Sequence, residues 1–433
     1  MFFSNIDMTS LEQELIQLRR EFHRYPEAGW TEFRTTVRII EELTKLGLPV
    51  RYGLDVHTPS SRIGVREPER LEQLWQRAAE ECGNNPLLDA MRGGFTGCVT
   101  VIEGTRPGPT VGIRVDIDCN DLTETVDPDH VPVAEGFASC HPGCMHACGH
   151  DAHAAIGIGV AKILQACKDK LSGKVVLIFQ PGEEGARGAK SMVDAGILEG
   201  IDYFFGGHVG LQSLPTGTVC TGVTGILANQ KLDVTFHGRS SHAAATPEKG
   251  RNALAAAATA TLNLLAIPPH HEGLSRVNVG TLQAGTGRNI IPDEAFMQIE
   301  TRGATNKVNA YMVEAAQRIC MAAAQMHGCT CDICPAGNSE TAESDSCLAN
   351  RAAMILAQMP GVTEIADRLN FGASEDVAVM MNAVQTAGGK ATEMLFPMPL
   401  KAPHHNDHFD IDEGVIGLAA RCFAQLALQI GNT

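Results

Sequence analysis

The chain lacks a long hydrophobic run, is short of aromatic side chains and carries a deficit of positive charge. Each shortage removes a class of function. The most apolar window, "LAAAATATLNLLAI" (Leu254–Ile267), is shorter than the roughly 20 residues a bilayer demands and contains Thr and Asn. Lys and Arg number 34 against 50 Asp and Glu, a formal net charge of −16 with a sequence pI near 5.4. Nucleic acids and anionic membranes call for a basic field, so neither is expected as a partner. An anionic substrate would have to be held by a few local Arg or His residues. Aromatics make up 5% of the chain while Gly reaches 44 residues, which favours an α/β architecture with closely packed helices. The opening "MFFSNIDMTS" has no basic segment followed by an apolar stretch, so no secretory leader is expected. The 14 Cys then read as reduced thiols in a cytoplasmic protein, not as a disulfide framework. No G-x-S-x-G elbow occurs, which removes the usual serine-hydrolase signature.

What is present is a rhythm of strands and helices. "SLEQELIQLRREFHRYPE" (Ser10–Glu27) predicts an opening helix capped by Ser10, and a second spans about Glu32–Leu46. Strands are expected at Gly97–Gly104, Thr110–Asp118, Gly173–Pro181 and Asp202–Gly210, with a helix over Ala152–Lys168. Alternation of this kind implies a mostly parallel sheet covered by helices on both faces. With 433 residues, two domains are the natural expectation. Near Gly225 the pattern changes. An alternating strand, a long Ala-rich helix entered at Thr246 and Pro247, a hairpin, a helix over Asn306–His327 and a Cys-bearing strand give the order β-α-β-β-α-β of a ferredoxin-like unit. From about Asn338 the α/β character returns.

The stretch "GCMHACGHDAH" (Gly143–His153) concentrates Cys, His and Asp. A structural zinc knot, a redox dithiol, a catalytic metal centre and a polar loop are the alternatives. Position within the expected topology separates them. Asp116 and Asp118 close one strand, Cys148 and His150 precede a helix, Glu183 and Glu184 follow a buried strand, and His208 ends another. Ligands in open α/β sheets gather at the carboxyl ends of strands. Thiolate, imidazole and carboxylate together suit zinc, manganese or cobalt, and two such ions can activate a water and polarise a carbonyl. Of the glutamate doublet, Glu184 can bind metal while Glu183 takes a proton from water and passes it to a leaving amine. The cluster "CTCDIC" (Cys329, Cys331, Cys334) could in principle complete a zinc knot with Cys140, Cys144 and Cys148. However, it falls on an expected strand, where alternate side chains face apart.

Seven segments, "RVDID", "MHACGHDAH", "FQPGEEGARGAKSMVDAG", "GHVG", "SSHAAATPEKGRNAL", "GTGRNIIPDE" and "APHHNDHFDID", occur in order across nearly the whole chain. Together they resemble the amidohydrolase branch of the di-metal aminoacylase and carboxypeptidase family. Within it, "SSRIGVREPE", "GGFTG", "EGFASC", "SRVNVG" and the "HHND" ending are similar to the aminobenzoyl-glutamate-hydrolysing members. The resemblance implies a zinc-exopeptidase-like catalytic domain over 1–225 and 338–433, interrupted by a ferredoxin-like lid and dimerisation domain over 226–337. It implies two divalent ions, manganese or zinc, held by Cys148, His150, Glu184, His208 and His405. Glu183 would be the general base, with Asp116 tuning a ligand from behind. His405 is preferred to His404 because it precedes Asn406 and stands four residues before Phe409. His153 would support the site without binding metal. In the lid, His242 would steady the oxyanion, and Asn289 and Arg302 would hold the substrate's oxygens. The implied reaction is hydrolysis of an N-acyl amino acid, p-aminobenzoyl-glutamate first among candidates, by a homodimer or by a heteromer with a related subunit.

Overall fold

The computed structural model describes residues 3 and 6–431 of the chain. The opening decapeptide read above for a leader includes residues 1, 2, 4 and 5, which lie outside the described residues. The chain divides into two compact units, one formed by 1–224, 342–371 and 376–433, the other by 225–341 and 372–375. In chain order the first unit supplies strands β1 (Val50–Tyr52), β2 (Cys98–Glu103), β3 (Arg106–Asp116), β4 (Ser172–Gln180), β5 (Tyr203–Ser213), β6 (Thr218–Cys220) and β7 (Val223–Thr224). The second supplies β8 (Ala228–His237), β9 (Ser275–Ala284), β10 (Glu294–Gly303) and β11 (Thr330–Ser339). The first unit then adds β12 (Glu364–Ala366), β13 (Leu369–Asn370) and β14 (Lys390–Met398).

The eight-stranded sheet of the first unit runs β1-β2-β4-β3-β5-β14-β6-β12. Its centre, β4-β3-β5-β14, is parallel, and β1 and β2 are added antiparallel at one side. The central strands are buried nearly end to end, as strands covered on both faces must be. The helix His150–Ala166 lies within this core with almost every side chain buried. Its glycines let it approach. A Cβ at Gly157 would stand 2.5 Å from the Phe179 ring, and one at Gly159 would stand 2.7 Å from Leu15. The opening helix, Met8–Arg24, lays Leu11, Leu15, Leu18 and Phe22 into the same core at helical spacing. It is capped by Asp7, whose carboxylate accepts the Ser10 amide, so the helix begins earlier than the Ser10 cap read from sequence.

The second unit is a four-stranded antiparallel sheet, β11-β8-β10-β9, with helices Ala253–Leu264 and Asn306–Met326 packed on it. The Ala-rich helix does not start at Thr246. Pro247–Lys249 form a single 3-10 turn, Arg251 bridges to Arg239, and the α-helix begins at Ala253 under an Asn252 cap. Backbone pairing of Arg239 with Arg251 at 2.8 and 2.9 Å takes the amide and carbonyl a continuous helix would need. No helix among the described residues is long and apolar enough to cross a membrane.

Candidate metal centre and hydrolytic site

Strands β3 and β4 are parallel and in register, with Asp116 opposite Gln180, so the residues following each strand emerge side by side. Asp118 comes from one and the doublet Glu183–Glu184 from the other. The Asp118 carboxylate accepts the backbone amides of Glu183 at 3.0 Å and Glu184 at 2.9 Å. The amide before them, Gly182 N–H, goes to Glu32 at 2.7 Å. Two buried carboxylates thus hold three consecutive amides and fix the turn in which both glutamates sit. The turn closes through Gly185 and Ala186, both at positive φ (100° and 59°). Glu32 is driven up to about 8 by burial and by repulsion from Asp118.

Cys148 and His150 flank Gly149, which takes φ +90° as it caps the central helix. His150 gives its Nδ1 hydrogen to the Asp118 carbonyl at 3.0 Å, since a carbonyl can only accept. Its Nε2 is buried and has no hydrogen-bond partner. His208, inside β5 rather than at its end, likewise donates from Nδ1 to the Val209 carbonyl at 2.7 Å and turns Nε2 toward Cys148 Sγ at 3.4 Å. Both rings are oriented by a backbone carbonyl so that Nε2 is the nitrogen left for a further partner, the arrangement metal-binding imidazoles use. His153 differs. Its Nδ1 faces Asp116 and its Nε2 accepts the Val209 amide at 2.9 Å, so neither nitrogen has a lone pair to offer. His405 is fixed by its amide on the Ala147 carbonyl at 2.8 Å, and its Nε2 stands 3.2 Å from Glu184 Oε1.

The donor atoms fall into overlapping triads, each within 4.8 Å: Cys148–Glu184–His405, His150–Glu183–Glu184, Cys148–His208–His404 and His150–His153–His208. Cys148, His150, Glu184, His208 and His405 each belong to at least one. The local field suits a cation. Burial alone would push the Asp116 carboxyl up, but His150, Arg114 and His153 hold it well below the carboxylate range. Burial also opposes ionisation of Glu184, yet His405 and His150 bring it down to about 2. His405 is raised to about 10 by its hydrogen bonds with Cys148 and Glu184. Burial keeps His208 and His404 neutral, His404 near 4. An orphaned Nε2, neutral imidazoles, a thiol and an ionised carboxylate in one pocket fit one or two divalent ions of intermediate softness.

His242, Asn289 and Arg302 lie in the second unit. His242 and Asn289 are exposed and adjacent, Ala243 N–H donating to the Asn289 carbonyl at 3.0 Å. His242 Nδ1 accepts the amides of Ala244 and Ala245, leaving Nε2 as the ring's donor. Arg302 pairs with Glu300 at 3.1 Å on the same strand. Two residues of the first unit, Asn120 and Glu32, went unread in the sequence, and a third, His404, was weighed there and passed over for His405. Asn120 accepts the Ala147 amide at 3.2 Å, Glu32 holds Gly182, and His404 adjoins Cys148 and His208. Only His404 had a signal, its place in "HHND". Among the described residues no potential metal group includes Cys140, Cys144, Cys329, Cys331 or Cys334, so the shared zinc knot has no geometric support.

Residues 112–429 match peptidase family M20/M25/M40. The chain is 44% identical over 416 residues to indole-3-acetyl-aspartic acid hydrolase of Enterobacter agglomerans, covering 96% of this chain and 95% of that one. It is also 44% identical over 427 residues to one of the subunits of p-aminobenzoyl-glutamate hydrolase from Escherichia coli strain K12, covering 97% of each. Among solved structures, aminobenzoyl-glutamate utilization protein from Klebsiella pneumoniae superposes with a TM-score of 0.83 at 37% identity, over 97% of this chain and 96% of that one.

Proposed function

The chain belongs to peptidase family M20/M25/M40, and on that footing we propose that it hydrolyses the amide joining an aromatic acyl group to an acidic amino acid, p-aminobenzoyl-glutamate above all. Two relatives at equal identity are named for amides of aspartic acid and of glutamate, which favours a dicarboxylic amino acid over the acyl group as the shared element. The observation that carries the reading is the convergence of the donor atoms of Glu184, His405 and Cys148 within 4.8 Å, next to a second glutamate whose backbone is clamped on Asp118.

In this reading Cys148, His150, Glu184, His208 and His405 hold two divalent ions, manganese or zinc. When bound, such ions supply Lewis-acid polarisation of the amide carbonyl and lower the pKa of water. Glu183 removes the proton from the attacking water and delivers it to the departing nitrogen, so that glutamate leaves as a neutral amine. Asp116 fixes His153, and its negative charge, facing His150 Nε2 at 3.8 Å, strengthens that ring as a donor. His242 donates from Nε2 to the oxyanion, and Asn289 and Arg302 contact the substrate's carbonyl and carboxylate oxygens. The ferredoxin-like unit serves as a lid and joins the chain to a second copy or to a related subunit.

The test is a paired assay of the purified chain, with added manganese or zinc, on p-aminobenzoyl-glutamate, indole-3-acetyl-aspartate, hippurate and N-acetyl amino acids, with metal analysis alongside. Turnover confined to the acidic conjugates supports the proposal. Preference for hippurate or an acetyl amide moves the specificity elsewhere in the family. Turnover that requires a related partner chain makes this chain a complementing subunit.

A further inference from the structure

The loop that carries Glu183 and Glu184 leaves β4 at Gln180 and enters the short helix Ala189–Asp194. Asp118 and Glu32 hold its crown, and its neck is tied separately. Gly188 N–H reaches the Gly182 carbonyl at 2.9 Å, and a Cβ on Gly188 would stand 1.7 Å from the Pro181 oxygen, so the two arms meet backbone to backbone. One carboxylate closes that neck. Asp376 Oδ1 accepts the Gln180 side-chain amide at 2.7 Å on the entering arm. Its Oδ2 accepts the amides of Gly188 at 3.1 Å and Ala189 at 3.0 Å on the leaving arm. We propose that Asp376 is a positioning residue for Glu183, fixing both ends of the loop that presents it.

A carboxylate oxygen of Asp376 lies within 4.8 Å of one of Glu183, close enough to invite a second reading in which the two share a cation. The hydrogen bonds of Asp376 argue against it. A carboxylate offers about four lone-pair directions, and four N–H donors take them, the fourth being Arg114 Nη2 on Oδ1 at 3.2 Å. What Asp376 has to give goes to the loop and to Arg114. The same guanidinium donates to Gln180 Oε1 at 2.9 Å and to Asp116 at 2.7 Å. Gln180 therefore cannot turn its amide over to suit a changed partner without setting its NH2 against Arg114.

Asp376, Gln180 and Arg114 are each 1% exposed or less, so water does not replace a lost acceptor there and an orphaned donor forces the chain to move. In Asp376→Asn the new NH2 faces either Gln180 and Arg114 or the amides of Gly188 and Ala189. One arm of the loop loses its tie in both orientations, and Glu183 shifts with it. Ångström-scale misplacement of a reacting group costs up to about a hundredfold in rate. Asp116 keeps Arg114, and through it the support of His153, so metal binding should persist.

The proposal rests on the reading of Glu183 as the base, and a mutant cycle tests the two apart. Wild type, Asp376→Asn, Glu183→Gln and the double variant are loaded with manganese or zinc and assayed on whichever N-acyl amino acid the chain cleaves, with metal content and thermal melting alongside. Asp376→Asn alone should lower kcat about ten- to a hundredfold at nearly constant KM and full metal content. Added to Glu183→Gln it should cost little more, because the group it aims is already gone. Equal fold-losses in the two backgrounds would mean that Asp376 only holds the fold together and would overturn the proposal, as would a wild-type kcat in Asp376→Asn. If Asp376→Asn does not fold, Gln180→Met cuts the tie on one arm, keeps the buried carboxylate, and is scored by the same cycle. Full turnover by Glu183→Gln would remove the base assignment itself. Additive losses beside a crippled Glu183→Gln would leave that assignment standing and remove only the role of Asp376.

Discussion

The backbone amide of Glu183 donates to the Asp118 carboxylate at 3.0 Å, so the proposed proton carrier is aimed by its main chain as well as by its side chain. The second oxygen of Asp118 receives the amide of Glu184. In Asp118→Asn one of those acceptors becomes an NH2 group facing an N–H, and one glutamate is released from its position. Expected is a fall in kcat of about ten- to a hundredfold with KM nearly unchanged, because the substrate's own contacts persist. A rise in KM at constant kcat would mean that Asp118 serves binding instead.

Glu183→Gln keeps shape and backbone hydrogen bond while removing the proposed base. General acid–base catalysis is worth about 10²–10⁴-fold, and kcat should fall within or beyond that range. Metal content, measured by plasma mass spectrometry after gel filtration, should stay at the wild-type level. Loss of metal together with activity would make Glu183 a ligand.

The contrast between His150 and His153 follows from their free nitrogens. His150 has a buried Nε2 without a hydrogen-bond partner, while both nitrogens of His153 are engaged. His150→Ala should abolish stoichiometric metal binding. His153→Gln should weaken it by about ten- to a hundredfold, the usual cost of losing a residue that orients ligands. Competition titration against a chromogenic chelator reads both, and equal losses would place His153 among the ligands.

Much of this site could be read from order and periodicity because strand ends in a parallel sheet converge whatever their sequence separation. Asp116, Glu183 and Glu184 were reachable that way, whereas His208 was read as ending a strand and lies inside β5. His405 was not. It lies in a loop with φ 61°, and only the resemblance to a family singled it out. Asn120 and Glu32 were invisible for a different reason. They act on backbone amides of Ala147 and Gly182, and which amides need an acceptor is known only once the chain is folded. The Ala-rich helix was misplaced at its start because Thr246-Pro247 is a sound entry signal locally, whereas the pairing of Arg239 with Arg251 is a tertiary event.

Behind the site, His23 bonds Asp151 through Nδ1 at 2.8 Å and Glu124 through Nε2 at 2.9 Å. Burial and Arg19 disfavour a charged ring, but the two carboxylates prevail and His23 is raised above 6.5. A raised folded value means the ionised ring contributes fully below the unfolded value near 6.5 and is lost as pH rises through the folded one. The Tm gap between wild type and His23→Gln, both metal-saturated, should therefore be widest below about pH 6.5 and narrow as pH rises above it. A gap independent of pH would mean that the ring is neutral and acts by packing alone.

Gly149 carries the final test, since it alone separates Cys148 from His150. Its φ of +90° lies in the region L side chains avoid, and a Cβ there would stand 2.6 Å from Val209 Cγ2. Val209 cannot retreat. Its amide is held by His153 and its carbonyl by His208, so a push on Val209 is transmitted to the imidazole Nε2 that faces Cys148. Gly149→Ala should thus cost about 1–3 kcal/mol of stability through backbone strain and also disturb the proposed ligands on both sides. The expected outcome is a lowered Tm in the metal-free protein together with weakened metal binding. A variant that loses stability but binds metal with wild-type affinity would show that Cys148 and His150 are positioned independently of the turn that joins them.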